Sequence, residues 1–260
     1  MDYRSVCLEM CEIARRAGRF IAEQRETFTF SDVEFKGEQN LVSYVDKQAE
    51  RMVAEELAGL IPQAGFVTEE GTVATEEGKP LVWIVDPLDG TTNFVHGLSP
   101  YCVSIALSDE NEIVAGVVYE VTRDEMFYAW RGSYAYLNGQ RIAVSEVDSL
   151  SKALIAIGFS YGELSRQDEF VDSLVHFQNT TNGIRRLGSA AADLAYVACG
   201  RCDAFYHRGL SPWDVAAGAL IAQQAGARVT DYRGGDNYVF GREIIACSPA
   251  LYDDFQRQVR

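Results

Sequence analysis

Hydrophobic and polar positions change their period along the chain, and each change predicts an element. From Tyr3 to about Glu26, Val6, Met10, Ile13, Ala17, Phe20 and Ile21 fall at helical spacing with Glu and Arg opposite, which predicts an amphipathic helix. Phe28 to Gln39, with Gly37 after Lys36, has no helical period and reads as a hairpin or mobile loop. A second helix begins near Ser43 and runs to about Leu60 on the stripe Val45, Ala49, Met52, Val53, Leu57 and Leu60. Gly65 to Glu69 is a short strand ending in Glu69-Glu70-Gly71, and Thr72 to Pro80 is polar and loop-like. Leu81 to Val85 is a continuous apolar run, too short for an interior helix, and predicts a buried strand. Pro87 lacks a backbone donor, so that strand is expected to end on Asp86.

Beyond this point strands dominate. Tyr101 to Ser108, Ile113 to Val121 and Glu125 to Trp130 are joined by short polar turns and predict an antiparallel meander. Asn138-Gly139 is a hairpin turn before Arg141 to Ser145. From about residue 146 strands and helices alternate: strand Ala153 to Phe159, helix Arg166 to Gln178, strand Ile184 to Leu187, helix Ser189 to Cys199, strand Asp203 to His207, helix Trp213 to Gln224, strands Arg228 to Asp231 and Glu243 to Ser248, and a last helix from Pro249. No repeat or low-complexity linker separates the halves, about 1–145 and 146–260. The pattern predicts one α+β layered unit over 1–260, with a meander-rich first half and a mixed α/β second half.

Composition narrows the partners. With 23 Lys and Arg against 38 Asp and Glu, the net charge is −15, a field that repels nucleic acid and anionic membrane. Neither is expected as a partner, and an anionic substrate would require cations to reverse the local sign. The charged N-terminus contains no apolar segment of signal-peptide or membrane-span length, so a cytoplasmic location is the expectation. Of six cysteines, Cys199 and Cys202 form a lone CGRC, expected as reduced thiols because no second CxxC or histidine cluster completes a metal site.

The chemistry concentrates in Asp86, Asp89 and the Gly90-Thr91-Thr92 turn behind them. Alone, an Asp-Pro-x-Asp-Gly sequence is a solvated turn. Yet carboxylates this close repel unless a cation sits between them, and hard oxygen ligands suit Mg²⁺ or Mn²⁺. The turn, at the start of a short helix, supplies backbone N–H groups of the kind that hold phosphate. One of Glu69 and Glu70 is a natural third ligand. Asp214, in PWDVAAGALI, is a second candidate, although an Asp at a helix start is usually a cap. Behind it Ala216, Ala217 and Gly218 keep the helix slim, so that another element or a ligand can approach.

Glu69-Glu70, DPLDGTTNF and WDVAAG, in this order, resemble the inositol monophosphatase family of Mg²⁺-dependent phosphatases. The resemblance extends to Lys36 with LVSYVD ending at Asp46, and to GIRRLGSAAADLAYVACGRCDAFY over 183–206. It implies an α-β-α-β-α sandwich of the inositol monophosphatase and fructose-1,6-bisphosphatase type, a homodimer, two or three Mg²⁺ ions with Mn²⁺ able to substitute, and inhibition by Li⁺. By motif position, Glu69, Asp86 and the Leu88 carbonyl would hold one ion. Asp86, Asp89 and Asp214 would hold a second, and Glu69 would serve a weaker third. Thr91, hydrogen-bonded to Asp46, would activate water, with Glu69 and Asp89 also counted as catalytic. Gly90 and Thr91 would hold the phosphate. Asp89, Gly188, Ser189, Ala190, His207 and Asp214 would face the alcohol.

Two cations about 4 Å apart neutralise phosphate, lower the pKa of water and stabilise the leaving alkoxide. No nucleophilic Ser, Cys or His is then required, and none of the three histidines stands beside another catalytic group in the sequence. The chain departs from the inositol-specific pattern at His207, where those relatives carry Glu. The expected substrate is therefore myo-inositol 1-phosphate or a similar polyol or sugar phosphate, with fructose 1,6-bisphosphate as the alternative. Adenosine 3′,5′-bisphosphate ranks lower, because relatives acting on it commonly read DGTKEF. A non-catalytic scaffold ranks lowest, because every matching ligand is present.

Overall fold

The computed structural model describes residues 1–29, 33–37, 40–74, 78–159 and 167–259. Helix α1 (Tyr3–Thr27) buries Met10, Ile13, Ala17 and Ile21, and α2 (Tyr44–Leu60) beside it buries Val45, Ala49, Val53 and Leu57. Between them β1 (Val33–Gly37) and β2 (Asn40–Ser43) form an antiparallel pair. The segment read as hairpin or mobile loop is thus a hairpin over its described residues; 30–32 and 38–39 lie outside them.

Both helices cover one face of a seven-stranded sheet. Its spatial order is β3 (Gly65–Thr68), β4 (Leu81–Asp89), β5 (Cys102–Asp109), β6 (Glu112–Glu120), β7 (Glu125–Trp130), β8 (Ala135–Leu137) and β9 (Gln140–Ile142). β3 runs parallel to β4, and every later pair is antiparallel. Asn138 and Gly139, at φ 48° and 82°, make the two-residue turn between β8 and β9. A short helix, α3 (Thr91–His96), intervenes between β4 and β5.

A five-stranded sheet follows, of order β11-β10-β12-β14-β13, from β10 (Leu154–Phe159), β11 (Gly183–Arg185), β12 (Ala204–Arg208), β13 (Arg228–Thr230) and β14 (Glu243–Cys247). On its outer face α4 (Gln167–Thr180) and a late short helix, α7 (Tyr252–Gln256), enclose an aromatic core of Phe177, Tyr206, Tyr232 and Phe255. Helices α5 (Ala190–Ala198) and α6 (Pro212–Gln224) fill the space between the two sheets. The succession is α-β-α-β-α. Close approach explains the small residues of α6: a Cβ on Gly218 would stand 2.7 Å from the Leu194 Cβ of α5, and one on Gly116 of β6 would stand 2.9 Å from the Ala217 carbonyl. The slim helix lets its neighbours α5 and β6 approach closely.

One expectation is corrected. The strand does not stop at Asp86 but continues through Pro87 to Asp89. Asp86 pairs with Ser104 and Asp89 with Cys102, so three steps on β4 face two on β5. This bulge tolerates a proline because the extra residue makes no ladder bond.

Candidate functional site

The bulge sets the geometry of the acids. In a regular strand, residues three apart point to opposite faces. The extra residue lets Asp86 and Asp89, 1 % and 8 % exposed, turn toward one point. Asp214 reaches the same point from the first turn of α6, where its Oδ2 accepts from the Ser211 N–H at 2.6 Å in a capping box. It is therefore both a cap and a member of the cluster. One carboxylate oxygen from each of Asp86, Asp89 and Asp214 lies within 4.8 Å of the other two. Glu69, just past β3, flanks them: its N–H donates to the Val85 carbonyl at 3.3 Å, and its carboxyl hydrogen-bonds to and repels Asp86.

This crowding is costly without a counter-charge. Burial, then the charges of Glu69, Asp89 and Asp214, pushes Asp86 well above the ordinary carboxylate range. Burial raises Asp89 to about 6 against three hydrogen bonds that favour its ionised form. Burial followed by the charge of Asp89 raises Asp214 to about 7. A divalent cation would remove these repulsions, and hard carboxylate oxygens are the ligands such ions take, so the residues present fit one.

Thr91 opens α3 and spends its single proton between two acceptors, Asp46 Oδ1 at 3.0 Å and the Leu88 carbonyl at 3.1 Å. Asp46 is the N3 residue of α2, and its Oδ2 accepts from the Ser43 N–H at 2.8 Å and the Ser43 hydroxyl at 2.6 Å. Burial raises the Asp46 pKa, and these hydrogen bonds oppose the rise. The Leu88 N–H donates to Asp86 Oδ1 at 3.0 Å. Gly90, at φ 96°, stands where a Cβ would meet the Pro100 carbonyl at 3.1 Å and the Gly188 carbonyl at 3.3 Å, so glycine alone fits.

On the opposite side Asp89 Oδ2 accepts from the Ser189 hydroxyl at 2.6 Å and the Ala191 N–H at 2.7 Å. Ser189 caps α5 by accepting from the Ala192 N–H at 3.2 Å, and Ala190 is the first residue of that helix. Gly188, at φ 91°, lies against the Asn93 amide, which donates at 2.7 Å to the carbonyls of both Pro100 and Leu187. His207 lies on β12 two residues after Phe205, a member of the core between the sheets, and so shares its face. Its Nδ1 meets the Arg208 carbonyl at 2.7 Å, and its ring covers Gly158, where a Cβ would stand 1.8 Å from Cδ2. Burial lowers its pKa to about 4, so at neutral pH it is an uncharged ring with Nε2 left to accept.

Asp46, Asp86, Leu88, Asp89, Gly90, Thr91, Gly188, Ser189, Ala190 and Asp214 are thus assembled at the N-termini of α2, α3, α5 and α6, with Glu69 at the edge. Sequence reading missed Ser43, Glu50 and Asn93. The Ser43-x-x-Asp46 spacing is a capping-box signal, and Glu50 lies four residues after Asp46 on the same helical face. Cys199 and Cys202 are free thiols that burial pushes upward, Cys202 to about 12.

A sequence model of the inositol monophosphatase family matches residues 2–260. An inositol-1-monophosphatase of Rhizobium meliloti is 40% identical over 256 residues, 96% of this chain and 96% of that protein. The Nus factor SuhB of Escherichia coli is 39% identical over 238 residues, 92% of this chain and 89% of that protein. The crystal structure of the extragenic suppressor protein SuhB from Bartonella henselae superposes with a TM-score of 0.92 at 38% identity, covering 98% of each chain.

Proposed function

This chain belongs to the inositol monophosphatase family, and we propose that it is a Mg²⁺-dependent phosphomonoesterase acting on myo-inositol 1-phosphate or a similar polyol or sugar phosphate. The observation that carries this reading is the convergence of Asp86, Asp89 and Asp214 beside the Thr91–Asp46 pair. Divalent cations held by Glu69, Asp86, the Leu88 carbonyl, Asp89 and Asp214 would neutralise the phosphate and acidify water. The protein's own groups do the rest. Thr91 gives its proton to Asp46 Oδ1, the charged acceptor, which leaves its Oγ lone pairs to take a hydrogen bond from the attacking water and the Leu88 carbonyl free to face a cation. Asp46, made more basic by burial, is the terminal acceptor of the water's proton through Thr91. Gly90 and Thr91 present backbone N–H groups to the phosphate. Asp89, held by Ser189 and Ala191, orients the alcohol together with Gly188, Ala190, His207 and Asp214.

His207, uncharged at pH 7, favours fructose 1,6-bisphosphate as a second substrate, because no carboxylate stands there to repel a second phosphate. In this reading Mn²⁺ substitutes for Mg²⁺, Li⁺ inhibits, and the enzyme works as a homodimer. A phosphate-release panel with Mg²⁺, comparing inositol 1-phosphate, fructose 1,6-bisphosphate and adenosine 3′,5′-bisphosphate, tests it. Turnover of the first two that disappears in EDTA and in Asp214→Asn is expected. Phosphate release that survives either change overturns the proposal.

A further inference from the structure

Helix α2 carries a second buried acid that the proposed chemistry does not use. Glu50 is 0 % exposed and lies one turn after Asp46, on the same face. Like charges four apart on a helix repel, and a buried carboxylate must find donors. Asp46 finds them at Ser43 and Thr91. Glu50 finds them in the turn that follows β3. Its Oε2 accepts from the Glu70 N–H at 2.7 Å, and its Oε1 accepts from the Thr72 N–H at 2.6 Å and the Thr72 hydroxyl at 2.7 Å. Gly71, at φ 62°, reverses the chain so that both residues face the same carboxylate.

The consequence falls on Glu69. The peptide before its Cα is tied to β4, because the Glu69 N–H donates to the Val85 carbonyl. The peptide after its Cα is tied to α2, because the N–H of Glu70 belongs to the same peptide unit as the Glu69 carbonyl. With both peptide planes held, the direction in which the Glu69 side chain leaves the backbone is set. We infer that Glu50 is a positioning residue for the metal site, aiming Glu69 at the cation shared with Asp86. One helix face thus braces the site twice, the water-activating hydroxyl through Asp46 and the flanking ligand through Glu50. The inference rests on the reading of Glu69 as a cation ligand.

Glu50→Gln keeps the shape and sets an amide NH₂ against the N–H of Glu70 or of Thr72, in the turn that holds Glu69. Partners that orient a ligand typically govern metal affinity by about ten- to a hundredfold. In calorimetric titration with Mg²⁺, Glu50→Gln is therefore expected to weaken binding about tenfold, and the half-saturating Mg²⁺ concentration should rise by more than kcat falls. The decisive comparison is a cycle with Glu69→Gln. With the ligand already removed, adding Glu50→Gln should change Mg²⁺ affinity by less than about twofold. Equal weakening in both backgrounds, or no weakening in the first, overturns the role of Glu50. If Glu69→Gln itself leaves Mg²⁺ affinity unchanged, Glu69 is not a ligand, and the site reading and the inference fall together. If Glu69→Gln weakens binding while Glu50→Gln does not, the site stands and only the role of Glu50 falls. Thermal melts in EDTA establish that each variant folds. Should Glu50→Gln not fold, Thr72→Val removes one donor and leaves α2 intact. It is expected to weaken Mg²⁺ binding two- to threefold, and an unchanged affinity there overturns the inference.

Discussion

A hydroxyl has one proton, and Thr91 has two acceptors for it. The charged acceptor forms the stronger bond, so the proton belongs to the Asp46 side, and the oxygen lone pairs are turned toward whatever lies opposite. Thr91→Val keeps the shape and removes only this. Turnover at saturating Mg²⁺ should fall about a hundredfold or more, the range of a lost proton-transfer partner, while the Mg²⁺ dissociation constant from calorimetry stays within about threefold. Lost metal binding with turnover intact would refute the assignment. His207, proposed to face the alcohol, presents the complementary case, a residue whose charge state decides the expectation. Its Nδ1 is engaged by the Arg208 carbonyl and burial keeps the ring neutral, so the imidazole accepts at Nε2 rather than donating as a cation. His207→Glu adds a negative charge there. The ratio of kcat/KM for inositol 1-phosphate over fructose 1,6-bisphosphate should rise at least several-fold, and an unchanged ratio would place selectivity elsewhere.

At the scale of elements, four helices begin around the site, and each beginning is tied to it by a side chain or a glycine. Asp46 closes the capping box of α2, Gly90 turns into α3, Ser189 and Asp89 cap α5, and Asp214 closes the box of α6. Helix N-termini favour negative charge, which offsets part of the repulsion among the acids. Ser43→Ala separates the capping role from the chemistry. It removes the acceptor for the Val45 N–H, found at 3.1 Å, and one donor to Asp46, while the Ser43 N–H still holds Oδ2. Unfolding free energy from a urea titration should drop by about 1 kcal/mol, and turnover should fall far less than in Thr91→Val. An equal fall in turnover would show that the hydroxyl, and not the backbone, orients Asp46. Much of this was legible in advance. Periods of two and 3.6 marked the helices and strands to within a few residues, and the Asp86-to-Thr91 stretch marked the acids. The bulge through Pro87 was not legible, because a proline between acids reads as a stop unless the partner strand's register is known. Glu50 and Asn93 were not legible either, because a single polar residue does not announce partners 20 or 94 positions away.

Across the whole molecule the net charge of −15 makes any folded form self-repelling, and the acid cluster concentrates that cost. Its pH dependence can be separated from the rest. Ordinary surface carboxylates titrate near 4 and are silent at neutral pH. Without metal, Asp214 is raised from 3.8 to about 7, Asp89 from 3.8 to about 6, and Asp86 well above 3.8. A carboxylate whose folded pKa lies above its unfolded value binds its proton more tightly in the folded state. Its contribution is present in full below the unfolded pKa and is lost as pH rises through the folded one. His207, lowered from 6.5 to about 4, acts in the opposite sense, gaining stability as pH rises from about 4 to 6.5, and is silent above that. Asp193 and Asp46, raised by burial, act in the same sense as the cluster, so between about pH 6.5 and 8 the cluster's share is the part of the fall that Asp214→Asn or Mg²⁺ removes. In EDTA the melting temperature should fall across this window. Mg²⁺ competes with these protons, so saturating Mg²⁺ should flatten the fall and stabilise most at pH 8. At a hundred times the dissociation constant the gain is about 2.7 kcal/mol, or about 5 °C for a chain of this size. Asp214→Asn should flatten the EDTA profile even without metal, because an amide does not titrate. A melting temperature in EDTA that holds steady or rises from pH 6.5 to 8 would mean that the clustered carboxylates are not the groups setting this protein's stability.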